Sequence, residues 1–202
     1  MALVKLNNRG VKDITAVGSI GTGDLVFISK QTASSSASIS FTSGIDSTYK
    51  EYVFYFVNLH SSNDAVEPQI NYSTYGGSNY NVTKTTTTFR AYHREDDSGT
   101  ALGYTTGDDL AQSTSYQRLA NSLGNGNDES ASGYLHIFNP SSTTFVKHFM
   151  SRISYTNSSE PTFQIDFFTA GYGNTTSAIN AIDFKMSSGN IDSGDILLYG
   201  VN

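Results

Sequence analysis

The chain has 202 residues, no cysteine, no tryptophan and a formal net charge of −6, with only 15% of its side chains charged. Lack of cysteine removes disulfides, thiolate metal sites and thiol nucleophiles together, and no apolar stretch reaches the roughly 20 residues a membrane span requires. The charge is unevenly placed. Between positions 95 and 129 seven acids (Glu95, Asp96, Asp97, Asp108, Asp109, Asp128, Glu129) oppose one base, Arg118, so that stretch alone carries −6 and the remainder balances to zero. An acidic middle argues against nucleic acid as a partner, which calls for a basic face on the folded body.

In chain order, residues 1–24 come first as beads of apolar side chains broken by Gly10, Gly18, Gly21 and Gly23. They lack the continuous apolar core of a secretory signal and any clear strand pattern. Within them "GSIGTGD" imitates a phosphate loop, but it carries no lysine and opens no helix. The segment reads as an extended N-terminal arm, with Lys5, Arg9 and Lys12 and no acid before Asp13.

From residue 25 onward period-two alternation dominates, the mark of half-buried strands. "LVFISKQT" is followed by "SISF", which offers Ile39 and Phe41. Next comes "TYKEYVFYFVNLH", residues 48–60, too aromatic for a surface and too short for a membrane. It fits a central strand with both faces covered, the second by the arm or by another subunit. "QINYS" leads into "NYSTYGGSNYN", residues 71–81, where Tyr72, Tyr75 and Tyr80 stand among Gly, Ser, Thr and Asn. That is the composition of a paratope loop. It makes these tyrosines candidates for glycan or partner binding, unless their rings simply cover their own sheet. After "VTKTTTTFRAYH", residues 107–125 are the one place for a helical turn, with Asp108 or Asp109 as N-cap.

The strands resume with "SGYLHIFNP", where Leu135 and Ile137 oppose Tyr134, His136 and Phe138, and with "FVKHFMSRISY". In "TFQIDFFTAGY" Phe163, Ile165 and Phe167 oppose Gln164 and Asp166. In "AIDFKMSSG" Ile182, Phe184 and Met186 oppose Asp183 and Lys185. The terminal "DILLYGVN" brings Ile196 and Leu198 on a strand expected to lock the fold. Turn clusters such as "YGGSNYN", "GNGNDES" and "NPSSTT" punctuate the series. Nine to eleven strands without crossover helices indicate an all-β, antiparallel β-sandwich of jelly-roll type over residues 25–202, preceded by the arm.

Catalytic motifs are absent. His60, His93, His136 and His148 fall on separate strands with no metal-binding spacing. The acidic loops offer clustered oxygens but no EF-hand pattern. No Gly-x-Ser-x-Gly elbow occurs, and no pair of facing carboxylates can be singled out for glycoside hydrolysis. The expectation is a non-enzymatic protein without cofactor or metal.

Five stretches carry a resemblance: "ALVKLNNRGVKDITAVGSI", "GGSNYNVTKTTTTFRAYHRED", "GYLHIFNPSSTTFVKHF", "AGYGNTTSAI" and "FKMSSGNIDSGDILLYGV". In this order they resemble a group of small virion proteins of tailed phages of marine bacteria, cyanophages and pelagiphages among them. The resemblance implies a β-rich building block of a tail fibre, spike or head decoration on the virion surface, made in the cytoplasm of a bacterial host. It supplies no catalytic residues. Partners expected on this basis are other copies of the chain, with a trimer favoured, the capsid or tail proteins of the particle, and host surface glycans, but neither nucleic acid nor a membrane interior. The arm would dock by β-augmentation, Lys5, Arg9 and Lys12 steering it to an acidic surface and Leu3, Val4, Leu6, Val11 and Ile14 supplying burial.

Overall fold

The computed structural model describes residues 25–160 and 162–202. The arm expected over residues 1–24, with Leu3, Val4, Lys5, Leu6, Arg9, Val11, Lys12 and Ile14, lies outside the described residues. These form twelve strands: β1 (Leu25–Thr32), β2 (Ile39–Phe41), β3 (Glu51–Ser61), β4 (Pro68–Ser73), β5 (Lys84–Arg94), β6 (Thr100–Tyr104), β7 (Gln117–Arg118), β8 (Ala131–Phe138), β9 (Lys147–Thr156), β10 (Phe163–Gly173), β11 (Ala181–Met186) and β12 (Ile191–Val201). Eight of them make one sheet in the order β1-β12-β3-β8-β9-β10-β5-β6, and four make a second in the order β2-β11-β4-β7. Every pairing is antiparallel. The expected all-β antiparallel sandwich is what these residues build.

The alternation written in the sequence decides the layering. β9 reads inward at Phe149, Ser151, Ile153 and Tyr155 and outward at His148, Met150, Arg152 and Ser154. Leu135 and Ile137 of β8, Ile165 and Phe167 of β10, and Ile196 and Leu198 of β12 point the same way, each fully buried. From the smaller sheet Ile39, Phe41, Ile70, Tyr72, Ile182, Phe184 and Met186 meet them in one continuous core.

The aromatic run finds its explanation at the centre of this core. Tyr52, Phe54 and Phe56 of β3 are at most 2% exposed. Phe54 packs edge-to-face on Phe41 and on Phe184, both at 5.2 Å between ring centroids, and Phe56 meets Phe184 at 5.3 Å. Edge-to-face pairs align the positive ring edge with the negative face and add to area burial. Two rings of β3, Phe54 and Phe56, thus clamp the smaller sheet onto the larger, while Tyr52 packs on Tyr49 and bonds to Asp46. The other parity, Val53, Tyr55 and Val57, points away from it.

The C-terminal strand behaves as expected. β12 is inserted between β1 and β3, along most of the length of both. Its bulge is matched across the pair: Asn58 of β3 and Gly194 of β12 both take positive φ, and a Cβ on Gly194 would strike the Asn58 carbonyl. Only glycine fits there.

The helical turn expected over residues 107–125 does not form. Leu119 and Leu123 are buried, and their amides donate to the carbonyls of Pro68 and Val66, each at 2.8 Å. The Leu110 amide donates to the Thr86 hydroxyl at 2.7 Å. Backbone captured by β4 and β5 is extended rather than coiled, so the segment closes the end of the sandwich over β5.

Candidate functional site

Structure separates the three candidate tyrosines. Tyr72 belongs to the core: it is 0% exposed, its ring packs on Phe149 at 5.6 Å, and its hydroxyl has no hydrogen-bond partner. Strand β4 alternates, and the parity that carries Ile70 inward carries Tyr72 with it, so Tyr72 cannot touch a ligand. Tyr80 folds back so that its hydroxyl lies over Gly77, buried and unpaired. Only Tyr75 stands free, 70% exposed. These tyrosines form no shared platform.

The large open surface is the outer face of the eight-stranded sheet. Register fixes a row that crosses all eight strands: Lys30, Leu197, Tyr55, Tyr134, Arg152, Phe168, Phe89 and Tyr104. Phe89 and Phe168 stack at 4.7 Å, the Arg152 guanidinium lies 4.7 Å over the Phe168 ring, and Tyr55 meets Tyr199 edge-on at 5.7 Å. This side of β3 is therefore covered in part by its own neighbours. Val53 is buried beneath them while Val57 is exposed.

Exposed apolar side chains stand near both borders of this sheet, with Phe138 of β8 and Met150 of β9 exposed between them. At the β1 border stand Leu25, Phe27 and, on β3, Val57; at the β6 border stand Phe89, Leu102 and Tyr104. Leu102 is 74% exposed. Edge strands usually carry lysine or proline against unwanted pairing. β6 reads "TALGY" with no charge at all, and β1 has only Lys30.

Between the borders lies a trough of about 610 Å³. Its floor is a second register row, Ser132, Ser154, Asp166 and Ala91, one small or short side chain from each of β8, β9, β10 and β5. One wall is the taller row through Tyr134 and Arg152; Gln164 and His93 stand on the other side. The polar groups are held. Arg152 grips Asp166 through Nε at 3.0 and 3.1 Å and Nη2 at 2.7 Å, and this raises the guanidinium pKa further. Gln164 donates to the Ser154 hydroxyl at 2.8 Å, and His93 pairs with Asp97 at 3.1 Å.

Elsewhere the titratable groups are structural. Asp108 is 5% exposed and gripped by Arg118 at 2.8 Å and by the Asn121 amide at 2.8 Å to each oxygen. Lys84 is fully buried with no carboxylate beside it; its Nζ donates to Asn71 Oδ1 at 2.5 Å and to the Val82 carbonyl at 2.8 Å. Burial pulls its pKa from 10.5 down to about 7. Two acceptors are what a neutral amine's two hydrogens need. Among the described residues no three histidine or carboxylate groups converge on one point, and there is no helix long and apolar enough to cross a membrane.

The trough was missed by the sequence reading, although its signal is visible: short side chains at matching outward positions on four strands that turn out to be neighbours. Strand order is what the sequence withheld. No protein-family model, curated protein or solved structure matches the chain.

Proposed function

We propose that this protein is a non-enzymatic structural component of a tailed-phage virion, a short fibre, spike or capsid decoration, that closes into a trimer through the two borders of its eight-stranded sheet. The virion assignment is supported by the five resembling stretches. The trimer is supported by one observation: apolar, charge-poor surface near both ends of the same sheet. A twofold dimer needs one self-complementary patch, whereas a closed ring needs two different patches that fit each other. Leu25, Phe27 and Val57 form one, and Leu102, Tyr104 and Phe89 the other. Eight strands at about 4.8 Å spacing set the two borders roughly 34 Å apart, far enough for each to meet a separate neighbour. Two ion pairs on the intervening face are closed within the chain, Lys30 with Asp195 and Arg152 with Asp166, so these charges need no partner from a second copy. The residue 1–24 arm then has the separate task of fixing the trimer to the capsid or tail.

Sedimentation equilibrium of the full-length chain at micromolar concentration tests this. The expected result is a trimer that Leu102→Asp converts to monomer without loss of the β-sheet circular dichroism signal. A wild-type monomer overturns the trimer. Deleting residues 1–20 should leave the trimer intact and abolish incorporation into particles; incorporation of the deleted chain overturns the docking role.

A further inference from the structure

The trough crosses β8, β9, β10 and β5 of the outer face and ends against Leu102 of the β6 border, and its chemistry is specific. We propose that it binds a neutral oligosaccharide. The inference rests on the geometry of this face alone and is independent of the virion reading.

Shape comes first. Four adjacent strands put the floor residues Ser132, Ser154, Asp166 and Ala91 in line, perpendicular to the strands. Three strand spacings give the line a length of about 14 Å, suited to a chain of two or three pyranose rings rather than to a single sugar. The volume of about 610 Å³ lies within the roughly 300–1,000 Å³ range of small-ligand sites.

Chemistry comes second. Sugar hydroxyls are best held by planar groups that donate and accept at fixed positions, and the trough presents three: the Arg152 guanidinium, the Asp166 carboxylate and the Gln164 amide. Each is immobilised before any ligand arrives, Arg152 by its two-point grip on Asp166 and by the Phe168 ring beneath it, Gln164 by Ser154. Preorganised groups lose little entropy on binding. Asp166 and Arg152 retain further acceptor and donor capacity after satisfying one another. The Tyr134 ring forms part of the wall and offers an apolar face for the C–H side of a sugar.

Charge chooses among saccharides. Arg152 and Asp166 cancel, His93 is engaged by Asp97, and Glu95 and Asp96 follow in the same exposed turn. A uronate, sialate or sulfate would find no unpaired cation in the lining of the trough; a polyol meets matched dipoles.

Nitrogen-15 correlation spectra of the intact chain, titrated separately with cellotriose, maltotriose, mannotriose and chitotriose and with trigalacturonate, read this out. At least one neutral trisaccharide should shift the amides of Ser132, Tyr134, Arg152, Ser154, Gln164 and Asp166, while trigalacturonate shifts none of them. Ser154→Tyr, which fills an exposed floor position, should weaken that binding at least tenfold, as should Gln164→Ala, with the remaining spectrum unchanged. Silence to all four neutral sugars, preferential binding of trigalacturonate, shifts that map elsewhere, or full affinity in both variants would each overturn the proposal. Loss of the trimer, by contrast, would leave these outcomes unaffected.

Discussion

The two faces of β3 share a backbone and differ in everything else. Inward, Tyr52, Phe54 and Phe56 are buried, the two phenylalanines interlocked with the smaller sheet; outward, Val53, Tyr55 and Val57 run from buried to open across a surface of rings and paired charges. Both faces are rich in aromatic side chains, so composition alone does not say which one holds the fold and which one meets the outside. What separates them is the number of layers. The inner rings have a second sheet to interlock with, and the outer rings have only each other and whatever docks. Stability should therefore concentrate on one side of the strand and recognition on the other.

The largest effect that could break this division is Phe54→Ala. Phe54 is 0% exposed and touches Phe41 and Phe184 across the layers. Truncation removes transfer energy and leaves a cavity between sheets, at a cost of about 3–5 kcal/mol. Urea denaturation should show the midpoint collapse while the slope stays the same. A cost below about 1 kcal/mol would mean that the sheets do not depend on this interlock.

A polar exception on the inner face sharpens the comparison. Lys84 is buried where β5 faces the segment over it, and burial holds its pKa near 7 against an ordinary 10.5. Between those values the unfolded chain binds the proton and the folded chain does not. Stability therefore rises as pH increases from about 7 towards 10.5, and below about 7 the full penalty applies. A difference of that size corresponds to roughly 4–5 kcal/mol at most. Lys84→Met removes it but deprives the Val82 carbonyl of a donor, while Asn71 Oδ1 keeps the Tyr72 amide. A net gain of about 2–3 kcal/mol at pH 6 is expected, shrinking as pH rises and turning into a net loss of about 1–2 kcal/mol near pH 10. Unfolding at the two pH values checks it; a gain independent of pH would assign the effect to packing instead of charge.

This lysine also shows where the sequence stops being legible. The inward parities of β8 to β12 could be read from alternation because one set of positions is apolar and the other polar. In "KTTTTFR" both parities are polar, so nothing marks Lys84, Thr86 and Thr88 as the buried set. The two threonines bond not to strand neighbours but to the segment over residues 105–117, Thr88 to the Thr105 carbonyl and Thr86 to Gln117, while Lys84 reaches Asn71 and Val82. Tyr72 was misplaced for a related reason. A tyrosine among Asn, Ser and Gly reads as a loop residue until the register of β4 on β11 puts it opposite Ile182. The trough needed still more, since its floor joins residues from β8, β9, β10 and β5 that no local pattern connects.

An intermediate effect comes from Tyr155, whose ring lies in the core and whose hydroxyl reaches the loop. It donates to the Asn121 carbonyl at 2.7 Å and accepts from the Asn121 amide at 3.0 Å, and Asn121 in turn grips Asp108. Tyr155→Phe keeps the ring and strands both backbone groups, which should cost about 1–2 kcal/mol. Hydrogen exchange should localise the loosening to residues around 108–123; uniform loosening would show that the loop is not held separately from the core.

The smallest effect is the most direct test of the outer face. Tyr55 sits beside Phe54 in sequence but has cross-strand partners, Tyr134 on β8 and Leu197 and Tyr199 on β12. Such pairs contribute roughly 0.2–1 kcal/mol each, and threonine restores a good strand former at the position. Tyr55→Thr should therefore lower stability by no more than about 1 kcal/mol, several-fold less than Phe54→Ala one residue away. Combining it with Tyr199→Thr should cost less than the two single changes added, because the edge-on contact is lost only once. If Tyr55→Thr instead unfolds the chain, or costs as much as Phe54→Ala, the outer face is a second core covered by something bound to it, and assembly and folding of this protein would be one event.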